Sequence, residues 1–285
     1  MIGRDQIEAA VAAHGRVAVA VVIEAKGSSP RDAGTAMAVF GGGTIGTIGG
    51  GTVEHRVIEA ARALLADGGA PLVLRFPLGP DLDQCCGGQM TVEIGLVGAN
   101  PGADGSLPPA WGRGGEGGIS LWPGGPRLPE PQAKRPVIVY GAGHVGQALT
   151  RALAPLPFRT TLVDVRQGTP ETPVETHITP LPEAVAEEAP DHTFHIVMTH
   201  SHAIDLEIVT AVMGRPFGFC GLIGSATKRA VFERRLAERG ISAEKIARLI
   251  CPIGLDGLRD KRPEVIAASV AAQLLLRDAE LRERP

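Results

Sequence analysis

Cysteine is scarce in this chain, charge of one sign is not in excess, and long apolar runs are missing. Cys85, Cys86, Cys220 and Cys251 are the four cysteines among 285 residues. Their spacing fits neither a zinc finger nor an iron–sulfur pattern, which excludes the usual cysteine-only metal sites. A bridge between the neighbours Cys85 and Cys86 would be strained, and the expectation is thiols rather than a disulfide framework. No stretch approaches the roughly 18 uninterrupted apolar residues of a membrane span. The opening MIGRDQIEAA reads as an amphipathic helix start rather than a signal peptide. A cytoplasmic protein without a membrane partner is expected. The formal net charge of −3 provides no basic field, which argues against a nucleic-acid partner.

What is present is ordinary globular composition, 44% apolar and 21% charged. At roughly 100–200 residues per domain the length suggests two domains. Residues 100–135 are crowded with Gly and Pro and show no sustained period, so they read as a linker. Ahead of it, residues 1–99 hold a short helix stopped by Gly15 and the β-rich run RVAVAVVIEA. A turn at KGSSPRDAG, two strands around Gly41 to Gly43, an amphipathic helix over 52–66 and the strands PLVLRF and MTVEIGLV follow. This describes a smaller N-terminal α+β domain, with Cys85 and Cys86 in the loop between its last two strands. Residues 136–285 alternate apolar strands with helices, the pattern of a Rossmann-like parallel sheet. The fold class is therefore α/β, with the Rossmann-like domain C-terminal.

In RPVIVYGAGHVGQAL the glycines Gly141, Gly143 and Gly146 fit G-x-G-x-x-G between an apolar strand and a helix. Asp164 follows Gly141 by 23 positions, close to the roughly 20 expected of a ribose-binding acid. His144 inside this loop either points at a ligand or caps the turn. No hydride-transfer partner set is evident, which argues against NAD(P) chemistry. In CGLIGSATKRAVFERR, Gly224 and the N-cap Ser225 precede Lys228 and Arg229 in the first helical turn. Cations there oppose the helix dipole unless an anion sits between them, so a phosphate or a solvated basic face are the two readings. IGTIGGGTVEHRV likewise feeds Gly49, Gly50 and Gly51 into a helix start, read either as an anion site with Arg31 of GSSPR nearby or as a simple turn. In MTHSHAIDLEIV, His200, His202 and Asp205 suggest either a zinc site, as in a hydrolase, or a polar loop at the ligand edge of the sheet. The doublet in QCCGG, Cys85-Cys86-Gly87-Gly88, is either a buried small pair, a chance doublet, or a set of thiols suited to a soft metal or a sulfur carrier.

Together these stretches resemble the xanthine dehydrogenase accessory protein family of the XdhC/CoxI type over nearly the whole chain. GSSPR, GTIGGGTVE and QCCGG resemble its N-terminal domain. VIVYGAGHVGQAL, VMTHSHAIDLEIV, GLIGSATKR and PIGLDGLRDKRPEVIAASVAAQLL resemble its Rossmann domain, in the same order. The resemblance implies a chaperone that binds the molybdopterin form of the molybdenum cofactor. It would hold the cofactor while a cysteine desulfurase supplies the sulfido ligand and pass it to the molybdenum-binding subunit of apo-xanthine dehydrogenase. Cys85 and Cys86 would then meet the molybdenum or relay sulfur, and the glycine turns and basic helix starts would take the pterin phosphate. Where CoxI members can carry a cysteine in the GGG-x-x-E stretch this chain has Thr52, so no thiol role carries over there. A homodimer is expected. The competing readings are an NAD(P)-dependent oxidoreductase using Gly141 to Gly146 and Asp164, and the zinc hydrolase.

Overall fold

The computed structural model describes residues 2–78, 88–98, 119–122, 125–128, 133–168, 172–258 and 260–283. They form two units, Met1–Gln132 and Ala133–Pro285.

The first unit is built on a five-stranded antiparallel sheet in the order β3-β2-β1-β5-β4. Its strands are β1 (Arg16–Lys26), β2 (Ala36–Phe40), β3 (Gly43–Gly46), β4 (Leu72–Pro77) and β5 (Gln89–Gly98). The central β1 reads VAVAVV rather than alternating with polar residues, because both of its faces are covered. On one face Ala18, Ala20 and Val22 meet Val53, Val57, Ala61 and Leu64 of α2 (Gly51–Asp67). Those four residues fall on one stripe of the helix, which closes at Gly68 with its N–H bonded to Leu64 O. On the other face Val17, Val19 and Val21 meet Ile7 and Ala10 of α1 (Arg4–His14).

A short hairpin, β6 (Ile119–Ser120) with β7 (Arg127–Leu128), adds Leu121, Trp122 and Leu128 to that second face. The Trp122 indole donates to Glu93 Oε1 at 3.1 Å. Part of the segment read as linker is thus core of the first unit. Its Gly and Pro content conceals the three apolar side chains that anchor it.

The second unit has a six-stranded parallel sheet in the order β10-β9-β8-β11-β12-β13. The strands are β8 (Arg135–Tyr140), β9 (Phe158–Asp164), β10 (Glu175–Ile178), β11 (Phe194–Val197), β12 (Phe219–Leu222) and β13 (Leu249–Ile250). Counted from β8 this is the 3-2-1-4-5-6 order of the doubly wound dinucleotide-binding fold, and its topological switch lies between β8 and β11. Period-two alternation along the strands divides the core. Val137, Val139, Phe194 and Ile196 face α3 (His144–Leu153) and α8 (Pro263–Glu283). Ile138, Tyr140 and Cys220 face α4 (Pro182–Glu188), α5 (His202–Met213), α6 (Ala226–Glu238) and α7 (Ala243–Ala247). Among the described residues no helix is long and apolar enough to cross a membrane.

Within the second layer His195 is buried, with Nδ1 3.1 Å from Tyr140 Oη. Burial, helped by the positive charge of Arg215, pushes its pKa down to about 3 from the ordinary 6.5. Burial also raises the Tyr140 hydroxyl and pushes the Cys220 thiol up to about 12, so all three groups are neutral at pH 7. Because the unfolded chain protonates His195 near pH 6.5 and the fold does not, its contribution is complete above pH 6.5 and is lost as pH falls toward 3. Between pH 6.5 and 4.5 the denaturation midpoint of the wild type is expected to fall, and that of His195→Asn to stay nearly flat. Equal slopes for the two proteins would remove His195 as the cause.

Candidate functional site

In the first unit, three of the sequence motifs are neighbours. The turn after β1 carries GSSPR, and Ser29 Oγ donates to Arg31 O at 2.9 Å. Gly49, in the turn that enters α2, is so close that a Cβ there would lie 2.9 Å from Pro30 Cβ and 3.5 Å from Arg31 Cγ. Gly88 abuts the same turn from the other side: a Cβ would lie 2.5 Å from the carbonyl oxygens of both Lys26 and Ser28. Leu78 N–H donates to Gly88 O at 2.7 Å, so Leu78 is tied to the residue that abuts GSSPR. Cys85, Cys86 and Gly87 themselves lie outside the described residues. Arg31 is exposed.

In the glycine turn the amides of Gly49 and Gly50 are already engaged and are not offered to a phosphate. Glu54 Oε2 accepts from Ile48 N–H at 3.0 Å, Gly50 N–H at 3.1 Å and the Thr47 hydroxyl, while Thr47 Oγ1 accepts from Gly49 N–H at 3.1 Å. Burial raises the Glu54 pKa, but these donors outweigh it and hold the carboxyl below the usual value. An internal carboxylate therefore occupies the anion position at the start of α2. The residue was legible as the last letter of GGGTVE, but its capping role was not anticipated.

In the second unit the candidate residues line the carboxyl edge of the sheet on both sides of the switch. Gly141 ends β8 with φ 112°, in the left-handed region that favours glycine, and donates to Val163 O at 2.8 Å. Gly143 and the exposed His144 open α3, and Gly146 packs directly beneath Gly141 O. One cleft of about 330 Å³ is lined by Ala142, Gly143, His144, Gln147 and Arg166 to Gly168. A second, of about 340 Å³, lies between the ends of β11 and β12 and is lined by Thr199, His200, His202, Ile223 to Ser225 and Lys228.

Asp164 stands at the end of β9, where a ribose-binding acid would stand, but its acceptors are taken. Oδ2 accepts from Ala142 N–H at 2.6 Å and Arg166 Nη2 at 2.9 Å, and Oδ1 accepts from Arg166 N–H at 2.8 Å and Nε at 2.9 Å. Burial raises its pKa, yet the Arg166 guanidinium and the two backbone donors bring it down to about 2. Arg166 belongs to none of the sequence motifs; the signal it leaves is the short D-x-R spacing at the end of β9.

Lys228 and Arg229 are not free cations. Lys228 Nζ lies 2.7 Å from Asp205 Oδ2 and 2.9 Å from Ile223 O, and Arg229 pairs along α6 with Glu233 at 2.7 Å. Asp205 is fully buried, and its Oδ1 accepts from Thr199 N–H and the Thr199 hydroxyl at 3.0 and 2.7 Å. It thus fastens the loop carrying His200 to α6 rather than joining the exposed His200 and His202 as a ligand. Among the described residues no group of His, Cys, Asp and Glu is placed to hold a metal ion. Ser225 caps α6, accepting from Lys228 N–H at 3.3 Å, and Gly224 leaves room for the aliphatic stem of Lys228.

Fold and clefts define a class: an antiparallel α/β unit followed by a Rossmann unit with clefts along the carboxyl edge on either side of its switch point. Residues 10–77 match the XdhC and CoxI family, residues 137–274 match the XdhC Rossmann domain, and the chain belongs to this family. It is 29% identical over 269 residues to the uncharacterized protein YqeB of Escherichia coli K12, covering 90% of the present chain and 43% of that protein. The chain thus spans less than half the length of this relative. A crystal structure from Bacillus halodurans, described as a xanthine dehydrogenase, superposes with a TM-score of 0.75 at 20% identity, covering 99% of this chain and 96% of the other. At that identity the likeness establishes the fold.

Proposed function

We propose that the protein is an accessory factor in xanthine dehydrogenase maturation and that it acts by carrying molybdenum cofactor. In this reading it binds the molybdopterin form, holds it during sulfuration by a cysteine desulfurase, and delivers it to the molybdenum-binding subunit of apo-xanthine dehydrogenase. It works as a binding and transfer factor, as a homodimer in the cytoplasm, without turnover of a metabolite. Family membership supports the accessory role. The observation that carries the finer reading is the packing of Gly88 and Gly49 on the GSSPR turn, which gathers Arg31 and the flank of the thiol doublet. Thiolates are soft donors suited to molybdenum or to transferable sulfur. The described donors fit a cofactor only in part: Arg31 offers a cation, whereas Glu54 already fills the anion position of the glycine turn. A phosphate is therefore better served in the second unit.

The oxidoreductase reading draws on the 3-2-1-4-5-6 sheet order, but the carboxylate it needs for a ribose diol is committed to Arg166 and Ala142.

The test is cofactor retention. Wild type and a Cys85→Ala/Cys86→Ala variant are co-expressed with active cofactor biosynthesis, purified, and assayed for molybdenum and pterin per chain. The wild type is expected to retain both, and the variant, with an unchanged melting temperature, to lose most of each. Equal retention by the two proteins would sink the role of the doublet.

A further inference from the structure

A Rossmann crevice that reads NAD does so with a carboxylate whose oxygens are free to accept the ribose hydroxyls, whereas a 2′-phosphate calls for a nearby arginine. A carboxylate has about four acceptor positions. In this protein the four bonds to Asp164 named above use them all, and three of the four donors belong to Arg166. Asp164 is 2% exposed and Arg166 50% exposed, so the cleft beside α3 meets a guanidinium where the carboxylate would otherwise be offered. Nη1 of Arg166 is not engaged by Asp164 and remains for a ligand on the open side. The same cleft is bordered by Gly143, where a Cβ would meet nothing within 4 Å, by the exposed His144 and by Gln147. Its volume of about 330 Å³ matches a small organic phosphate.

We propose that Arg166 is the specificity residue of this crevice: by saturating Asp164 it makes the cleft a receptor for a phosphate monoester rather than for the ribose diol of NAD. Nη1 of Arg166 carries N–H groups free for charge-assisted bonds to phosphate oxygens, and amides at the start of α3 add to it from the facing wall. The electrostatics agree, since the internal ion pair cancels the carboxylate that would otherwise repel an anion. Two kinds of molecule present such a monoester, a phosphorylated nucleotide and a phosphorylated pterin. The inference rests on the crevice alone and stands apart from the thiol doublet.

The experiment is calorimetric titration of the full chain with matched pairs: NADP against NAD, and 6-hydroxymethylpterin monophosphate against its unphosphorylated alcohol. At least one phosphorylated member is expected to bind about tenfold or more tightly than its partner, as the loss of a charge-assisted contact implies. Arg166→Ala is expected to stay folded but to melt below the wild type, because buried Asp164 loses its two side-chain donors. It should also lose that preference and bind NAD more tightly, because two acceptor positions of Asp164 are released. Preference for NADP names a nucleotide as the ligand and counts against the cofactor-carrier reading, while preference for the pterin phosphate supports both. The proposal fails if neither phosphorylated probe is preferred, or if Arg166→Ala keeps the preference.

Discussion

Asp205→Ala is expected to cost the protein about 3–5 kcal/mol, the usual consequence of removing one partner from a buried ion pair. The carboxylate is fully buried and satisfies three donors at once, Thr199 N–H, the Thr199 hydroxyl and Lys228 Nζ. Without it the Lys228 ammonium, on a side chain only 10% exposed, keeps the carbonyl of Ile223 and the face of the Phe232 ring, 5.4 Å away, but no counter-charge. The Thr199 amide loses its acceptor as well, so the loop after β11 and the start of α6 are released together. In urea denaturation the midpoint should fall accordingly. The double replacement Asp205→Leu/Lys228→Met should recover much of the loss, because an apolar pair in place of a buried ion pair is often close to neutral. The cycle is decisive: the losses of Asp205→Leu and Lys228→Met made singly must sum to more than the loss of the double variant. Additive losses would mean that the two residues act separately and that the distance of 2.7 Å carries no coupling.

The same pair shows why the sequence conveyed the fold more fully than the site. The strands VIVYG, TTLVDV and HIVMTH were legible because buried parallel strands leave short apolar runs between helices, and the runs fall on β8, β9 and β11. The edge strand β10, sequence ETHI, carries no such run because it is mostly exposed, and β13 is only two residues long. Lys228 looked like a free cation at a helix start, since its partner lies 23 residues upstream on another helix, a distance that no local pattern spans. Glu54 and Arg166 were hidden for a related reason. Each neutralises a position where a ligand group was expected, and only the folded backbone shows that the position is already filled. The glycines were easier to find than to interpret, because spacing marks the turn without saying which of them lacks space for a side chain.

That difference among the glycines leads to the second large effect. Gly146→Ala is expected to destabilise the second unit by about 3 kcal/mol or more, at or beyond the upper end for overpacking. A Cβ there would meet the carbonyl oxygen of Gly141 well inside van der Waals contact. That carbonyl cannot easily yield, since Gly141 is held by its own N–H to Val163 O and is crowded by the Met198 carbonyl on its Cβ side. Gly143→Ala is the contrast. With φ −71° and nothing within 4 Å of the added carbon, it should leave the denaturation midpoint within about 0.5 kcal/mol of wild type. Its methyl group, however, projects beside a wall of the cleft that Arg166 faces, so phosphate-monoester binding should weaken without loss of fold. One glycine would then serve helix-on-strand packing and the other ligand approach, a division tested by measuring the unfolding midpoint and the binding constant on both variants. If Gly143→Ala unfolds as readily as Gly146→Ala, the loop is rigid for structural reasons alone. If it binds as tightly as wild type, the ligand does not approach over Gly143.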